Sequence, residues 1–440
     1  MNKIISIFIM GILLLNSCAR QGSKNVPKND FITVKEGQFI RNGKPYYYIG
    51  TNYWYGALLG SKGKGGNRER LQKELDLMKA NGIDNLRILA GAEGPNGEPR
   101  RVSPAMQIRQ GIYDEDLLEG LDFLLNEMTK RNMVAILFIN NAWEWSGGFS
   151  QYVSWSTGDS IPYPEVKGKT WGEFMAFSGR FLNDEKAKSM FYKHIEFLLN
   201  RKNSINGVLY KKDPTIMTWE IANEPRAFSN ENKMAFDAWI DSTATLIKRI
   251  DPNHLVTTGS EGTWGCENDT ALYEKIHSHA NIDYLTMHIW PYNWSWLNPK
   301  DMTGTIDSAL IKVGEYMNLQ ISVAKKLNKP IVFEEFGLPR DGFVFAKGTP
   351  VTTRDKYYDF SFSEVLKNAK SNGLLAGANF WTFSGIGKPN ADRTDNMWKD
   401  GDDFLGDPPQ EAQGLNSVFI EDPTMEIVKK YNDSIIGLRK

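Results

Sequence analysis

This 440-residue chain has few cysteines, few histidines and almost no net charge, and each of these features excludes a class of protein. Its two cysteines, Cys18 and Cys266, cannot form a structural zinc site, and they leave no intramolecular disulfide if Cys18 is used elsewhere. The five histidines show no HExxH or comparable spacing, so we predict no metal and no other cofactor. The net charge of −1, without a long run of one sign, indicates neither a nucleic-acid partner nor a membrane-surface patch.

An apolar run at the N-terminus is too short to cross a membrane as a helix. Lys3 precedes this run over residues 4–15, which is typical of a secretory signal. Leu15-Asn16-Ser17-Cys18 then resembles a bacterial lipoprotein box, although Asn16 departs from the usual small residue and leaves an ordinary signal-peptidase site as the alternative. We therefore predict a signal peptide over 1–17, a lipidated Cys18, and a flexible tether up to residue 30. The protein would be exported and anchored by lipid to a bacterial membrane, on its periplasmic or cell-surface side.

The remaining chain, residues 31–440, alternates between strand-like and helix-like patterns without a low-complexity linker. Asn42-Gly43 predicts the turn of a short β-hairpin near its start. Strands are predicted over 46–52, 84–89, 133–139, 216–222, 255–260, 283–289, 330–335 and 376–382. Helices are predicted between Asn67 and Gly82 and over 114–131, 184–201, 233–250, 271–278, 305–327, 355–373 and 424–434.

This alternation predicts a single (β/α)8 barrel with long loops at its active face. An open doubly wound sheet is the alternative. No GxGxxG or GxxxxGK[ST] phosphate loop follows any predicted strand, which counts against that alternative.

Polar or aromatic residues follow every apolar strand at the same end, where barrel enzymes place their reacting groups. In chain order they are Asn52-Tyr53-Trp54, Arg87, Asn140-Asn141-Ala142-Trp143, Asn223-Glu224, Ser260-Glu261, His288-Ile289-Trp290, Glu334-Glu335-Phe336-Gly337 and Phe380-Trp381. Ordinary loop polarity does not explain such a repeated pattern.

Two carboxylates across a barrel mouth are what glycoside hydrolysis requires, one as proton donor and one to attack the anomeric carbon or activate a water. Glu224 precedes Pro225, which we expect to hold it in an extended backbone; capping of the next helix or pairing with Arg226 is the alternative role. Only one of Glu334 and Glu335 should face the pocket, because neighbours on a strand point to opposite sides. Gly337 favours Glu335, and we expect Glu334 to pair with a helix Lys or Arg.

The stretch Trp219 to Arg226, together with Phe333 to Gly337, resembles glycoside hydrolase family 5, and within it the β-mannanase branch. The resemblance continues through Gly50-Thr51-Asn52-Tyr53-Trp54, Asn85-Leu86-Arg87, Asn140-Asn141, Gly147-Gly148, Gln151-Tyr152, Asp213-Pro214-Thr215-Ile216, Gly259-Ser260-Glu261-Gly262 and Gly406-Asp407-Pro408-Pro409. It implies a monomeric enzyme that cleaves internal β-1,4-mannosidic bonds with retention. The substrate would be mannan, galactomannan or glucomannan, or a manno-oligosaccharide.

Carried over residue by residue, the resemblance implies that Glu224 is the acid/base and Glu335 the nucleophile. Asn223 would bond the sugar 2-hydroxyl, Arg87 and His288 would hold the nucleophile side, and Trp381 would be the floor under the cleaved sugar. The other substrate-binding residues are predicted to be Trp54, Asn140, Trp143, Glu261 and Trp290. From the residues alone, a structural ion pair for Arg87, a core position for His288 and core packing for Trp381 are the alternatives.

Trp290 departs from the family pattern. Many members have a tyrosine two residues after this histidine, hydrogen-bonded to the nucleophile. An indole can donate a hydrogen bond but cannot accept one. Trp290 therefore either substitutes as the donor or contacts the sugar.

Loop residues are expected to build the walls of a cleft. Stacking on pyranose rings, or packing within the loops, is predicted for Trp54, Trp143, Trp145, Trp264, Trp294 and Trp296. The insert 143–184 predicts one wall, and the segment 388–410 predicts the other.

Three other functions compete with endo-mannanase. A different β-glucan could be the substrate, since mannose and glucose differ only at the 2-hydroxyl. A loop that closes one end of the cleft would impose exo-action on short manno-oligosaccharides. A glycan-binding surface lipoprotein without catalysis is the remotest, because both glutamates are present.

Overall fold

A short antiparallel sheet opens the part of the chain that the computed structural model describes, residues 31–390 and 395–439. Its strands are β1 (Thr33–Lys35), β2 (Gln38–Arg41) and β3 (Lys44–Pro45). Asn42 and Gly43 connect β2 to β3 with φ values of 52° and 77°, as a two-residue hairpin turn requires. The predicted hairpin is confirmed. The predicted signal peptide, Cys18 and tether lie outside the described residues.

A curved sheet of eight parallel strands forms the centre of the molecule. Its strands are β4 (Tyr48–Asn52), β5 (Asn85–Leu89), β8 (Val134–Phe138), β9 (Ile216–Glu220), β10 (Leu255–Thr257), β11 (Leu285–Ile289), β12 (Ile331–Phe336) and β13 (Leu375–Phe380). Each overlaps one predicted strand, and their order is β10-β9-β8-β5-β4-β13-β12-β11. The predicted (β/α)8 barrel is confirmed. Its strands are apolar runs because parallel strands are covered on both faces.

The barrel closes between β10 and β11 through a few hydrogen bonds rather than a regular ladder. Asp283 N donates to Val256 O (2.8 Å), and His288 N donates to Glu261 O (3.2 Å). Outside the barrel, two short ribbons are formed by β6 (Gln107–Arg109) with β7 (Ile112–Tyr113) and by β14 (Phe383–Gly385) with β15 (Val418–Phe419).

Helices surround the barrel and join its strands. They are α1 (Gly56–Gly60), α2 (Arg68–Ala80), α3 (Glu115–Lys130), α4 (Gly148–Thr157), α5 (Trp171–Gly179), α6 (Glu185–Leu199), α7 (Lys233–Ile250), α8 (Thr270–Ser278), α9 (Met302–Leu327), α10 (Thr352–Ser371) and α11 (Thr424–Leu438). The predicted helices are confirmed, including the Asn67 cap of α2, whose side chain accepts from Arg70 N (3.0 Å). The sequence patterns missed α1, α4 and α5; the last two lie in the insert 143–184. No described helix is both long and apolar enough to cross a bilayer.

A register shift in β12 changes which of its glutamates point inward. Met287 pairs with Phe333, but the next residue, His288, pairs with Glu335, so Glu334 is an extra residue in the ladder. Glu334 is fully buried, and its Oε2 lies 3.8 Å from His288 Nε2. The expectation that Glu334 pairs with a helix cation is therefore wrong, because the bulge breaks the strict alternation on which it rested.

Candidate active site

Glu224 and Glu335 meet at the carboxyl-terminal mouth of the barrel. A carboxylate oxygen of each, with a ring nitrogen of His288, lies within 4.8 Å of the other two. Both glutamates line a cavity of about 500 Å³, and they are 7% and 4% exposed. The two carboxyls that the sequence singled out thus share one pocket and face each other across it.

The backbone of Glu224 is left-handed, with φ of 49°, rather than extended as expected. Glu224 N donates to Gly259 O (3.0 Å), and Asn223 N donates to Asn140 O (2.9 Å), so the strands on both sides hold this turn. A non-glycine residue in this region carries strain of about 1–3 kcal/mol, and such residues concentrate at functional sites. Those inter-strand hydrogen bonds, which no local sequence rule reveals, decide the backbone here.

Two nitrogen donors hold the Glu335 carboxylate. Arg87 Nη1 donates to Oε2 (2.7 Å), and Trp290 Nε1 donates to Oε1 (3.1 Å). Trp290 also lines the cavity. Of the two roles left open for this indole, the donor role has the required geometry, and the sugar-contact role remains compatible with it.

Arg87 is the centre of a buried network beneath the pocket. It is fully buried and bonds both carboxylate oxygens of Glu220, at 2.5 and 2.9 Å. It also donates to Asn52 Oδ1 (3.0 Å) and to Asn223 Oδ1 (2.7 Å). A buried guanidinium needs such partners to offset its desolvation. Arg87 therefore positions the nucleophile and the amide beside the acid at once.

His288 lies nearer to Glu224 than to Glu335. Its Nδ1 is 2.9 Å from Glu224 Oε1 and 3.8 Å from Glu335 Oε2. The expectation that His288 holds the nucleophile is thus corrected: its hydrogen bond is with the other glutamate. Burial lowers the pKa of His288 to about 4, so the ring is uncharged near neutral pH. The neutral ring and the Glu224 carboxyl share one hydrogen bond.

Burial raises the pKa of both Glu224 and Glu335, and repulsion by Glu224 adds to the rise at Glu335. Two buried carboxyls this close disfavour each other's ionised form, so their titrations depend on each other. Arg87, a cation, contacts Glu335 directly, whereas Glu224 accepts from the neutral Trp143 Nε1 (2.5 Å). The direct contact with Arg87 favours the ionised form of Glu335, and the charge of Arg226 also lowers the pKa of Glu224 against the effect of burial.

Arg226 pairs with Glu261 rather than with Glu224. The pair is bidentate, with distances of 2.6 and 2.7 Å, and the guanidinium lies 4.9 Å from the centre of the Trp143 ring. Glu261, Trp143 and Trp381 all line the cavity, as expected of substrate-binding residues. Because Arg226 is taken up by Glu261, the alternative of an Arg226–Glu224 ion pair is excluded.

Trp54 and Asn140 do not take the positions expected of them. Trp54 is 1% exposed, and its Nε1 donates to Gly406 O (2.6 Å), so it supports the wall from behind. Asn140 is fully buried, and its Oδ1 accepts from Asn141 N (2.8 Å). Neither residue lines the cavity. Both follow a strand, but Trp54 is covered by the later segment near Gly406.

Several residues of the site were not singled out individually, although Glu144 and Trp171 lie in the insert 143–184 and Gln410 in the segment 388–410, which were predicted to form the walls. Glu220, the last residue of β9 and four positions before Glu224, could have been inferred from the need of Arg87 for a second counter-charge. Trp171, on the unpredicted α5, is 51% exposed at the cavity rim. Its ring contacts that of Trp143 edge-on, with centroids 5.9 Å apart. Glu144, Gln410 and Glu411 also line the cavity, on loops whose course no local pattern fixes.

Glu224, His288 and Glu335 are close enough to share a metal ion. However, Arg87 already places a positive charge beside Glu335, and Trp143 and Trp290 each donate to one oxygen of Glu224 and Glu335, respectively. Donors on both carboxylates suit acid–base and nucleophilic work better than cation binding. The chemistry available here is proton transfer from one carboxyl and attack by the other.

Two carboxyls placed in this way at a barrel mouth are the arrangement that glycoside hydrolases use. The family model described as "GH family 5 beta-mannosidase-like" matches residues 29–440. The chain therefore belongs to glycoside hydrolase family 5, in its β-mannosidase-like group, and the family resemblance in the sequence is confirmed.

Individual relatives agree with this family. A family 5 mannosidase from Rhizomucor miehei is 38% identical, with 93% of this chain and 98% of that chain covered and a TM-score of 0.85. Mannan endo-1,4-beta-mannosidase 7 from Arabidopsis thaliana is 29% identical, with 86% of this chain and 84% of the relative covered. An endo-1,4-beta-D-mannanase from Thermotoga petrophila is 24% identical, with 88% of this chain and 99% of that chain covered. Its TM-score of 0.64 shows the shared fold.

Proposed function

We propose that this glycoside hydrolase cleaves β-mannosidic bonds of mannan-type chains with net retention. The observation that carries the proposal is the approach of Glu224 and Glu335 oxygens to within 4.8 Å. Retaining enzymes hold their carboxyls about 5–5.5 Å apart, whereas inverting enzymes need about 6.5–9.5 Å to fit a water between them. The short separation therefore supports direct attack by Glu335.

In the first step, the Glu335 carboxylate attacks the anomeric carbon while the bond to the leaving oxygen breaks. Glu224 gives its proton to that oxygen, so the leaving sugar departs as a neutral alcohol. Arg87 and Trp290 orient the attacking carboxylate, and Asn223, held by Arg87, is placed to bond the 2-hydroxyl.

In the second step, a water replaces the departed sugar. Glu224, now ionised, removes a proton from this water as its oxygen attacks the anomeric carbon, and the ester bond to Glu335 breaks. Glu335 leaves as a carboxylate and Glu224 is protonated again. Trp143 and His288 contact Glu224 in its resting position and so keep its carboxyl aimed at the reacting oxygen.

Mannose as the cleaved sugar is supported by the relatives. The curated Arabidopsis relative is named a mannan endo-1,4-beta-mannosidase. The Rhizomucor miehei protein is a mannosidase, and a variant of it was solved with mannosyl-fructose. A different β-glucan remains the alternative substrate, and a substrate panel separates the two.

The test uses the protein from residue 31 onward with linear mannan, galactomannan and carboxymethyl cellulose. We expect the enzyme to release reducing ends from the two mannans only. Release of reducing ends from carboxymethyl cellulose alone would contradict mannan as the substrate. Glu224→Ala and Glu335→Ala should each remove most of the activity. Azide should rescue Glu335→Ala and yield a glycosyl azide of inverted configuration, whereas a retained azide product would reverse the two roles.

A further inference from the structure

The end of the barrel opposite the active site gathers exposed cations. The helices end there, because each leads into the start of the next strand. Basic side chains lie in the last turns of α7, α8, α9 and α10, in the loop between α6 and β9, and on β1. They are Arg249, Lys275, Lys325, Lys370, Lys202, Lys212 and Lys35, and we call this set the basic face. The set is spread along the chain, so the sequence shows no run of one sign.

The cations of the basic face have no carboxylate partner among the residues that the structure describes. At the mouth end, by contrast, exposed lysines are neutralised, as Lys62 is by Glu119 at 2.7 Å. Glu36 and Glu196 are the exposed carboxylates in or beside the segments of the basic face that are likewise without a cation partner in the described chain. Cations outnumber them, so this end of the molecule is positively charged.

Helix stability accounts for only part of this charge. Lysine and arginine in a last turn interact favourably with the negative end of the helix dipole, and this explains the cations on α7 to α10 without any partner. Lys35, Lys202 and Lys212 lie outside helices. Their side chains are exposed, and no intramolecular contact explains a positive charge at these positions.

Hydrogen bonds join the segments of the basic face into one surface. Asn253, after α7, donates to Lys211 O in the loop that follows α6 (3.0 Å). Lys329, after α9, donates to two carbonyl oxygens at the end of α8, at 2.6 and 2.9 Å. Gln38 of β2 donates to Asn372 O after α10 (2.9 Å). The cations therefore surround the N-terminal sheet on a fixed frame.

The described chain also begins at this end of the barrel. The ring of Phe31 packs edge-on against His254, with centroids 4.9 Å apart. The stretch from the predicted lipidated Cys18 to Phe31 spans at most about 45 Å when fully extended. A lipid at Cys18 would thus hold the basic face, and not the mouth, next to the membrane.

We propose that the basic face docks on the anionic phosphate headgroups of a phospholipid bilayer. The barrel then stands on the membrane with Glu224 and Glu335 facing away from it, where a polymeric substrate can reach them. The proposal goes beyond the proposed function and does not depend on it, since it concerns the opposite end of the molecule. Charge complementarity and the position of Phe31 both point to this occupant.

The anchor and the basic face have separate tasks. Each cation near an anionic membrane surface strengthens association by about fivefold at low salt, but at physiological salt the attraction acts only within about 8 Å. Without the lipid, the face is therefore too weak to retain the protein on membranes during fractionation. With the lipid attached, the protein is held close to the surface and the face sets its orientation.

The first test measures binding of the protein from residue 31 onward to sedimented vesicles. At about 0.01 M salt we expect it to bind vesicles of equal parts phosphatidylglycerol and phosphatidylcholine, but not vesicles of phosphatidylcholine alone. Binding should disappear at about 1 M salt, where charges act over only about 3 Å. Absence of binding to the anionic vesicles at low salt would overturn the proposal.

Two triple variants of equal net charge locate the surface. Glutamate replaces Lys212, Lys275 and Lys370 in the first variant. The control carries the same change at cations of the mouth end, Lys167, Lys186 and Lys300. We expect the first variant to lose at least about 10-fold in binding to the anionic vesicles and the control to lose much less. Equal losses in the two folded variants would contradict docking through the basic face.

Activity on an aryl β-mannoside and the Tm show that each variant is folded. These readouts keep the two proposals apart, because an inactive protein that binds the vesicles as expected would contradict the proposed function alone.

The second test needs no substitution. An amine-acetylating reagent is applied to the unmodified protein with and without the anionic vesicles, and modified lysines are identified by mass spectrometry. We expect the vesicles to protect Lys212, Lys275 and Lys370, while Lys167 and Lys300 stay reactive. Protection at the mouth instead would overturn the proposal. Binding to soluble polygalacturonate without binding to the anionic vesicles would assign the face to an acidic polysaccharide and overturn the membrane as its partner.

Discussion

Trp290 both holds the nucleophile and forms part of the pocket wall. Its indole N–H donates to Glu335 Oε1 (3.1 Å), and its ring is edge-on to Trp381 with centroids 6.3 Å apart. The ring therefore forms part of the pocket while the nitrogen orients the nucleophile. A tyrosine, which many family members have at this position, would supply the donor with a smaller ring.

Replacing Trp290 tests the donor role at the residue scale. Trp290→Phe removes the N–H, and a hydrogen bond to a charged group contributes about 1.5–3 kcal/mol, so kcat/KM should fall by about 10-fold or more. The ionised form of Glu335 also loses a donor, which raises its pKa and moves the acidic limb of the pH–rate profile to higher pH. Initial rates on an aryl β-mannoside across pH measure both effects.

Trp290→Tyr is the matched control, because a phenol O–H can donate where the indole did. We expect it to recover much of the lost activity and to return the acidic limb toward its original position. If the Phe variant matched the unmodified protein in rate and pH profile, Trp290 would be a wall residue only.

At the scale of elements, the junction between β5 and α4 determines the shape of one wall. Gly147 and Gly148 have φ of 89° and 56°, and a Cβ on either would lie 1.9 Å from a backbone oxygen of Glu93 or Asn141. Only glycine fits such close backbone approaches. Glu93 then accepts from Gly148 N and from Tyr152 on α4, both at 3.1 Å. This anchoring places the loop with Trp143 and Glu144 over the mouth.

Glu93 should make this junction pH-sensitive. Burial raises its pKa to about 8 from 4.5, so the folded protein keeps a proton that the unfolded chain releases. Between those pH values the unfolded state binds fewer protons, and stability falls as pH rises. Glu93→Gln, a neutral replacement of the same shape, should therefore stabilise the protein at pH 8 but not at pH 5, by up to about 4 kcal/mol.

Denaturant unfolding of both proteins at pH 5 and pH 8 measures this difference. The comparison between proteins at each pH cancels the contributions of other titrating groups. An equal effect of Glu93→Gln at the two pH values would mean that Glu93 is ionised in the folded state.

At the scale of the molecule, the N-terminal sheet seals the end of the barrel opposite the active site. Phe39 packs edge-on against Tyr284, with ring centres 5.1 Å apart. Arg41 pairs with Asp84 (3.3 Å), and Tyr46 OH donates to the same carboxylate (2.9 Å). The folded unit therefore includes this sheet. The predicted signal peptide and tether precede it in the chain.

Two truncations test this boundary. Removal of residues 1–30 should leave Tm and kcat/KM unchanged, because these residues are predicted to be a cleaved signal peptide and a flexible tether. Removal of residues 1–45 should lower Tm markedly, since it exposes Tyr284 and leaves Asp84 without Arg41. Equal behaviour of the two truncations would contradict a sealing role of the sheet.

The lipid anchor and the monomeric state stay predictions. In a bacterial host, the full chain should fractionate with membranes and Cys18→Ala should not, since the lipid would be attached at that thiol. Recovery of Cys18→Ala in the membrane fraction would contradict the anchor. Light scattering of the protein from residue 31 onward checks for a monomer.

The sequence alone determined the barrel strands, the two glutamates and the need of Arg87 for a carboxylate. Those inferences rest on local patterns: apolar runs, turn residues, and polar side chains at strand ends. Tertiary structure decided that Glu334 turns inward, that His288 bonds Glu224, and that Trp54 is covered. Each depends on strand register or on the loop near Gly406, more than 300 residues away in the chain, and the spatial course of such a loop is not encoded in any local pattern.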